Sequence, residues 1–567
     1  MQWIFKEQPP IDAVEKLATS LKIPGTVATL LLQRGITTFE EARNFYRPSL
    51  DDLHDPFLMQ DMQAAVSRIE SAIAGGELIM VYGDYDVDGT CSVALVASFL
   101  KSFYDNVTTY IPDRYTEGYG VSLKGIDFAA DNGVGLIIAL DCGVKAIDQV
   151  NYAHEKSVDF IICDHHLPGD QLPKAAAVLD PKRSDCDYPY KELCGCGVGF
   201  KLIQAIASKQ DVGIEALLPY LDLVATAIAA DIVPMTGENR ILTAYGLKVV
   251  NEDPRPGIKA LLSQRDKSSF NVSDLVFVVA PRINAAGRMK HGEYAVALLM
   301  ADQLEDCTQI AQEIEQFNSS RRATDEQITA EALALILDKG EEQNATTVVY
   351  QSHWHKGVIG IVASRLIEQY YRPTLVITRS GEVLAGSARS VRGFDVYKAL
   401  ESCQEHMIQF GGHKYAAGFT LEESQYEAFK ATFEKVVSAT LEEELKTPQI
   451  EIDLPITLDA ITPKFYRLIK QFAPFGPGNR TPVFLSKELT DSGWAKTVGS
   501  DAKHLKFKAG DGNARFDAIG FGLGSSLDQI KDKKPFDLVY SLEENHWNGR
   551  VSLQLRAKDL KPHPDTV

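Results

Sequence analysis

The sequence predicts an α/β protein: a doubly wound parallel sheet, a long connecting helix, a smaller α/β domain and a C-terminal all-β domain. Three observations carry this. Short apolar runs alternate with amphipathic helical stretches from about residue 78 to 231. The stretch "DQLEDCTQIAQEIEQFNSSRRATDEQITAEALALILDKG" keeps a helical period without Pro or internal Gly. Beyond about residue 450 the pattern changes to short strands separated by turn residues.

In chain order, a helical segment occupies residues 1–50, and the first α/β domain residues 51–300. Within it "ELIMVY" reads as a strand and "GTCSVALVASFLKSF" as a helix opened by small, cap-like residues. "NVTTYIP" is the next strand, and a helix begins near Ser122. "GLIIAL", a helix from about Val144, "VDFIIC" and "AAAVL" continue the alternation, before a long helical stretch from about Gly197. A strongly apolar helix then ends abruptly in "AADIVPM". The connecting helix covers 301–340, with "NSS" a point where it would break. Residues 341–445 hold "TTVVYQ", "TLVIT", "VLAGSARS" and "KYAAGFTL" as strands between helices. Residues 446–567 read as a small barrel or sandwich, as in "HLKFKAGDGNARFDAIGFG" and "VSLQLRA".

Composition sets bounds on function. A chain of 567 residues exceeds a single core, and 45% hydrophobic with 24% charged residues is ordinary for a soluble protein. "MQWIFKEQPP" carries acid and proline, so no secretory leader is expected, and no apolar run approaches the ~18 residues of a membrane span. The eight cysteines are scattered, which suits a reducing cytoplasm. "LCGCG" has no second cysteine pair at zinc-site spacing and reads as a structural loop. The formal net charge of −19 taken alone argues against nucleic acid, but the charge inside a cleft decides binding.

The acids sit where strands end. "IMVY" runs into "GDYDVDG", "IIAL" into "DCG" and "FIIC" into "DHH". Ligands of an open parallel sheet bind outside the carboxyl ends of its strands. That edge would therefore receive Asp86 and Asp88, Asp141, then Asp164, His165 and His166, with Asp231 from the apolar helix. Any one aspartate also reads as a helix cap or turn residue. Asp84, Asp86 and Asp88 repel one another unless a cation lies among them. Carboxylates with imidazole and no thiolate suit Mn²⁺, with Mg²⁺ as the oxygen-preferring alternative. Two such ions sharing a carboxylate are the usual clamp for in-line displacement at phosphorus, leaving His166 to act beside them.

"DYDVDG", "LDCG", "CDHHLP" and "AADIVPM" resemble the four motifs of the DHH phosphoesterase superfamily, and "FGGHKYAAGF" its associated C-terminal domain. "PDRYTEGYG", "PRINAAGR" and "WHKGVIGIVASR" are similar to its branch of bacterial single-strand-specific exonucleases, in which the late β-domain is an OB fold. The resemblance spans about residues 25–560. It implies 5′→3′ degradation of single-stranded DNA to mononucleotides, with two Mn²⁺ or Mg²⁺ ions, in repair and recombination. It places the metal on Asp86, Asp88, Asp141, His165 and Asp231, with Asp141 as bridge. His166 and Asp84 are the catalytic pair, Asp84 as an acceptor behind the ligands. Cys142 departs from the amide residue of many relatives but leaves Asp141 in place.

On the DNA side, Gly412 and His413 would let backbone approach a phosphate or base, or form a plain hairpin turn. Arg282, Arg288, Ser387 and Arg389 suit a terminal phosphate, and Arg114, Tyr115 and Tyr119 a backbone contact with stacking. Each of these arginines also reads as a solvated surface residue, and each tyrosine as packing. Phe507, Phe516, Phe521 and Trp547 are either a stacking platform or core. A single-strand-binding protein and a RecQ-type helicase are partners by resemblance, and a monomer is expected. The rival enzyme is a DHH phosphodiesterase for short oligonucleotides or cyclic dinucleotides, which lacks the extra β-domain and N-terminal segment. A scaffold that lost its metal site would not keep every ligand, and a pyrophosphatase would not need the DNA-sized extensions.

Overall fold

The computed structural model describes residues 1–564 apart from 266, 500, 548 and 549, and divides into two compact units. The larger holds Leu53–Val233 and Gly237–Pro448. Its first sheet is all-parallel: β1 (Leu78–Gly83), β2 (Val107–Tyr110), β3 (Val134–Leu140), β4 (Asp159–Cys163) and β5 (Ala177–Leu179), in the order β2-β1-β3-β4-β5. β3, β4 and β5 are buried along nearly their whole length, as continuous apolar strands covered on both faces must be. Helix α1 (Val87–Lys101) is apolar on every side and almost entirely buried, so it lies inside the domain. Helices α2 (Gly195–Lys209) and α3 (Leu221–Asp231) pack near it. Strand order reverses between β1 and β3, which opens the crevice where ligands of such sheets bind.

Helix α4 (Ala280–Met289) precedes the connecting helix α5 (Leu304–Asp338), whose 35 residues run unbroken through the "NSS" stretch. Asn318 is buried there and its side-chain oxygen accepts from Arg321 Nη2 at 3.0 Å, so it does not compete for the helix backbone. The second sheet of this unit has strands β6 (Thr347–Tyr350), β7 (Thr374–Ser380), β8 (Val383–Arg389), β9 (Gln409–His413) and β10 (Ala416–Leu421), ordered β9-β10-β8-β7-β6. Only β6 and β7 are parallel. The glycine-rich "GGHKYAAG" forms the β9–β10 hairpin. Gly412 has φ 144°, and a Cβ there would collide with the Ala416 carbonyl.

The smaller unit joins Met1–Asp52 and Pro234–Thr236 to the chain from Gln449 onward. The opening segment, expected to be helical, begins with a strand, Gln2–Phe5, that pairs in parallel with Gln449–Ile452. Lys6 meets Asp453 at 2.7 Å just beyond that ladder. Leu17, Leu30 and Leu31 share one core with Phe465, Phe472 and Phe484. The Met235 N–H donates to the Pro477 carbonyl at 2.7 Å. The strand Phe484–Asp491 pairs with both Phe536–Trp547 and His504–Gly510, closing the all-β sheet on itself. Phe507 is core and Phe516 packs against it, whereas Phe521 is exposed; the Trp547 side chain lies outside the described part of the chain. Among the described residues no helix is long and apolar enough to cross a membrane.

Candidate metal centre and the adjoining cleft

The strand ends do converge. Asp86 follows β1 and caps α1, accepting from the Gly89 N–H at 3.0 Å. Two residues on, Asp88 points back into the domain. It accepts from the Gly195 N–H at 2.6 Å and the Cys196 N–H at 2.8 Å, both at the start of α2. "LCGCG" is therefore a helix N-terminus that fixes a carboxylate, with Cys194 as its cap. Asp141, directly after β3, stands at φ 59°, a conformation aspartate tolerates. Gly195 passes so close to it that a Cβ would lie 2.6 Å from the Asp141 Cβ.

Asp164, after β4, organises the histidine pair. Its Oδ1 accepts from the His165 N–H at 2.7 Å and pairs with His166 Nδ1 at 2.7 Å, while Oδ2 accepts from the Val144 N–H at 2.9 Å. Burial acts to raise the Asp164 pKa, but the His166 hydrogen bond and charge outweigh it and hold the group at about 2. His166 is lifted above the ordinary imidazole value: burial opposes its charge, and Asp164 overcomes that penalty. His165 is the opposite case, since burial and the neighbouring His166 push it down to about 3, leaving a neutral ring.

His165 Nε2 lies 3.2 Å from Asp141 Oδ1, 3.6 Å from Asp231 Oδ2 and 3.9 Å from Asp88 Oδ2. Among the described residues two groups can hold a cation, Asp141 with His165 and His166, and Asp88 with His165 and Asp231. His165 is common to both, and His166 offers an atom to the first. Burial and then mutual repulsion raise these carboxyls, Asp88 to about 6 and Asp231 to about 8, with Asp141 raised as well. Asp84 is buried and also raised, by burial and then by Asp86; beyond its long contact with the Gly120 N–H at 3.5 Å, its Oδ2 has no hydrogen-bond partner. Asp141 Oδ1 and both His165 ring nitrogens likewise lack one. Buried polar atoms left unsatisfied, beside acids that repel, fit a site that takes divalent cations.

Next to this centre lies a cleft of about 480 Å³ between the two sheets' domains. Its walls include Arg114, Arg288, Ser387, Arg389, Tyr115 and Tyr119 of the residues expected from the sequence. Tyr119 joins cleft to centre, its hydroxyl 3.5 Å from His166 Nε2. Arg114 lies over the Tyr85 ring at 4.6 Å, and Arg389 Nη1 donates to Ser387 Oγ at 3.1 Å. Arg288 donates to the Gly357 carbonyl at 2.8 Å, and the Tyr115 hydroxyl donates to the Arg288 carbonyl. Burial, then crowding by Arg114, Arg389 and Arg321, lowers the Arg288 pKa to about 9. Such crowding is relieved by an anion. His413 stacks on His166 at 6.4 Å, so β9 meets the centre directly.

Gly412 and His413 are not among the cleft walls, and among the expected arginines Arg282 is the exception. Its guanidinium pairs with Glu315 of α5 at 2.6 Å and donates to the Val278 carbonyl, outside the cleft walls. Its partner is thus a carboxylate of the protein and not a ligand. Tyr85 and Lys356 line the cleft and were missed. Tyr85 sits inside "DYDVDG" and Lys356 inside "WHKGVIG", so their motifs pointed to them while their residue types did not.

Family comparisons place these parts in sequence order. The DHH family, N-terminal domain, matches residues 78–228, the DHHA1 domain 343–439 and the RecJ OB domain 452–559. The class so defined is the DHH phosphoesterases. The single-stranded-DNA-specific exonuclease RecJ of Bacillus subtilis is 36% identical over 99% of this chain and 70% of its own length. Crystal structures of RecJ from Thermus thermophilus in complex with Mn²⁺ and with Mg²⁺ superpose with TM-scores of 0.85 and 0.79. Each is 25% identical, over 99% of this chain and 79% of that one. The chain belongs to the RecJ family.

Proposed function

We infer that this protein is a metal-dependent exonuclease that degrades single-stranded DNA 5′→3′ to mononucleotides, serving repair and recombination in the cytoplasm. The observation that carries the reading is the arginine-walled cleft joined through Tyr119 to the metal centre. A terminal phosphate held by Arg114, Arg288, Arg389 and Ser387 sets the next phosphodiester against the carboxylates. Asp86, Asp88, Asp141, His165 and Asp231 would hold two Mn²⁺ or Mg²⁺ ions. These ions supply charge stabilisation at the scissile phosphate and a more acidic water.

The remaining steps belong to the chain itself. Asp164 fixes the His166 ring and favours its protonated form, so Nε2 is placed to give a proton toward the leaving oxygen. Asp84, buried behind the ligands with Oδ2 free to accept, is the acceptor that orients the centre from behind. His413, stacked on His166, donates to the strand backbone. In the smaller unit Trp494 is 68% exposed beneath Lys508, and Phe521 56% exposed beneath Arg556, at 5.9 and 5.5 Å. Cation-backed aromatic rings of this kind stack successive bases with little sequence preference. All eight cysteines are free and buried, in keeping with a reducing compartment. Proteins that supply or bare single strands, a single-strand-binding protein and a RecQ-type helicase, are the partners this activity calls for, and a monomer suffices for it.

The test is digestion of end-labelled strands. Mononucleotides should appear from the 5′ end of single-stranded DNA only with Mn²⁺ or Mg²⁺, with blunt duplex resisting. Asp141→Ala should lower the rate more than tenfold, roughly the loss expected of a ligand to such a centre. Metal-independent cleavage, or duplex cut as fast as single strands, would overturn the reading.

A further inference from the structure

Helix α3 ends on Asp231, and the next residue, Ile232, stands at φ 61° and ψ 26°. A β-branched side chain is strained in this left-handed region. Glycine is the usual occupant after a helix end and makes the same turn freely. It is therefore the side chain, and not the turn, that isoleucine adds. Burial does not explain it, because Ile232 is 68% exposed. Leu167, directly after His166, is 65% exposed. Exposed apolar side chains thus directly follow His166 and Asp231 in sequence, whereas Asp88, Asp141 and His165 are buried. A single exposed aliphatic residue is ordinary. One held in strain beside an acid of the centre points to function.

A phosphate drawn to a cation that Asp231 and His165 would hold brings with it the sugars and bases on either side. Those are the apolar surfaces a DNA strand offers within one nucleotide of the centre. The 5′-terminal nucleotide is directed into the arginine cleft, whose walls include neither Ile232 nor Leu167. The strand on the 3′ side is the part left to meet them. We propose that Ile232 is a substrate-contacting residue whose side chain packs against the nucleobase immediately 3′ of the scissile bond, held there by its strained turn. This rests on the reading of the protein as a single-strand exonuclease.

The experiment compares wild type, Ile232→Gly and Ile232→Asn, the two replacements that accept a left-handed backbone. Melting temperature is measured for each. Single-turnover release of the first nucleotide is measured on 5′-phosphorylated strands with either a natural base or an abasic site at the second nucleotide. Both variants should melt higher than wild type. On the natural strand they should lose about tenfold in kcat/KM, mainly through KM, as expected for one apolar contact. On the abasic strand wild type should fall to the variants' level, and the variants should not change. Variants that melt higher yet cleave natural strands as well as wild type would overturn the contact. Variants that melt lower would overturn the strain. A wild type that leaves single strands intact would overturn the exonuclease reading and this proposal with it.

Discussion

Arg389 and Arg282 looked alike in the sequence and differ in what faces them. Arg389 lines the cleft with, among the described residues, Ser387 Oγ and a backbone carbonyl as acceptors, whereas Arg282 already has the Glu315 carboxylate. Arg389→Ala should therefore lower cleavage of 5′-phosphorylated strands roughly 10–100-fold, the range of a lost charge-assisted contact, and of 5′-hydroxyl strands far less. Arg282→Ala should treat both strands alike and register as a lower melting temperature. Rates on both strands at two salt concentrations decide it: equal losses for Arg389→Ala would remove it from the terminal phosphate. The aspartates were legible because an acid at the end of a buried apolar strand has few other uses. Asp88's partners were not, since Gly195 and Cys196 lie 107 and 108 residues away and act through backbone N–H groups that any residue carries. Arg282 misled because sequence shows a guanidinium but not the carboxylate opposite it.

Three elements, the start of α1, the end of β3 and the end of α3, bring Asp88, Asp141 and Asp231 together, and without cations their charges oppose folding. The sign follows from their raised pKa values. Asp231 at about 8 and Asp88 at about 6 bind protons in the native state at pH values where the unfolded chain, near the ordinary carboxylate value, has released them. Between about pH 4 and 8 the native state holds more protons, so stability falls as pH rises. Chelator-treated protein should melt a few degrees lower at pH 8 than at pH 5.5, and saturating Mn²⁺ should abolish that slope. A metal-free melting temperature that rises over this range would contradict the clustering. Most elements were legible because helix and strand periods differ plainly in long apolar segments. The strand Gln2–Phe5 was not, having only four residues and a partner that begins at Gln449.

At the scale of the whole molecule, the division between catalysis and strand binding does not coincide with a cut in the chain. Deleting everything after Pro448 would bare Leu17, Val27, Leu30 and Leu31, which are buried against Phe465, Phe472 and Phe484. That truncation should aggregate and bind a hydrophobic dye. Removing Met1–Asp52 as well should restore a monodisperse protein that cleaves slowly at low salt and binds single strands weakly. A soluble, dye-negative truncation at Pro448 alone would refute the shared core. The parallel pairing of Gln2–Phe5 with Gln449–Ile452 also bears on how the chain is made. About 400 residues separate Asp52 from Gln449. At about 5–20 residues per second the ribosome takes roughly 20–80 s to cross that interval. Residues 1–52 thus leave the exit tunnel long before the residues they pack against. Until that later part is made, Leu17, Leu30 and Leu31 lack their native partners, which makes this segment a client for chaperones.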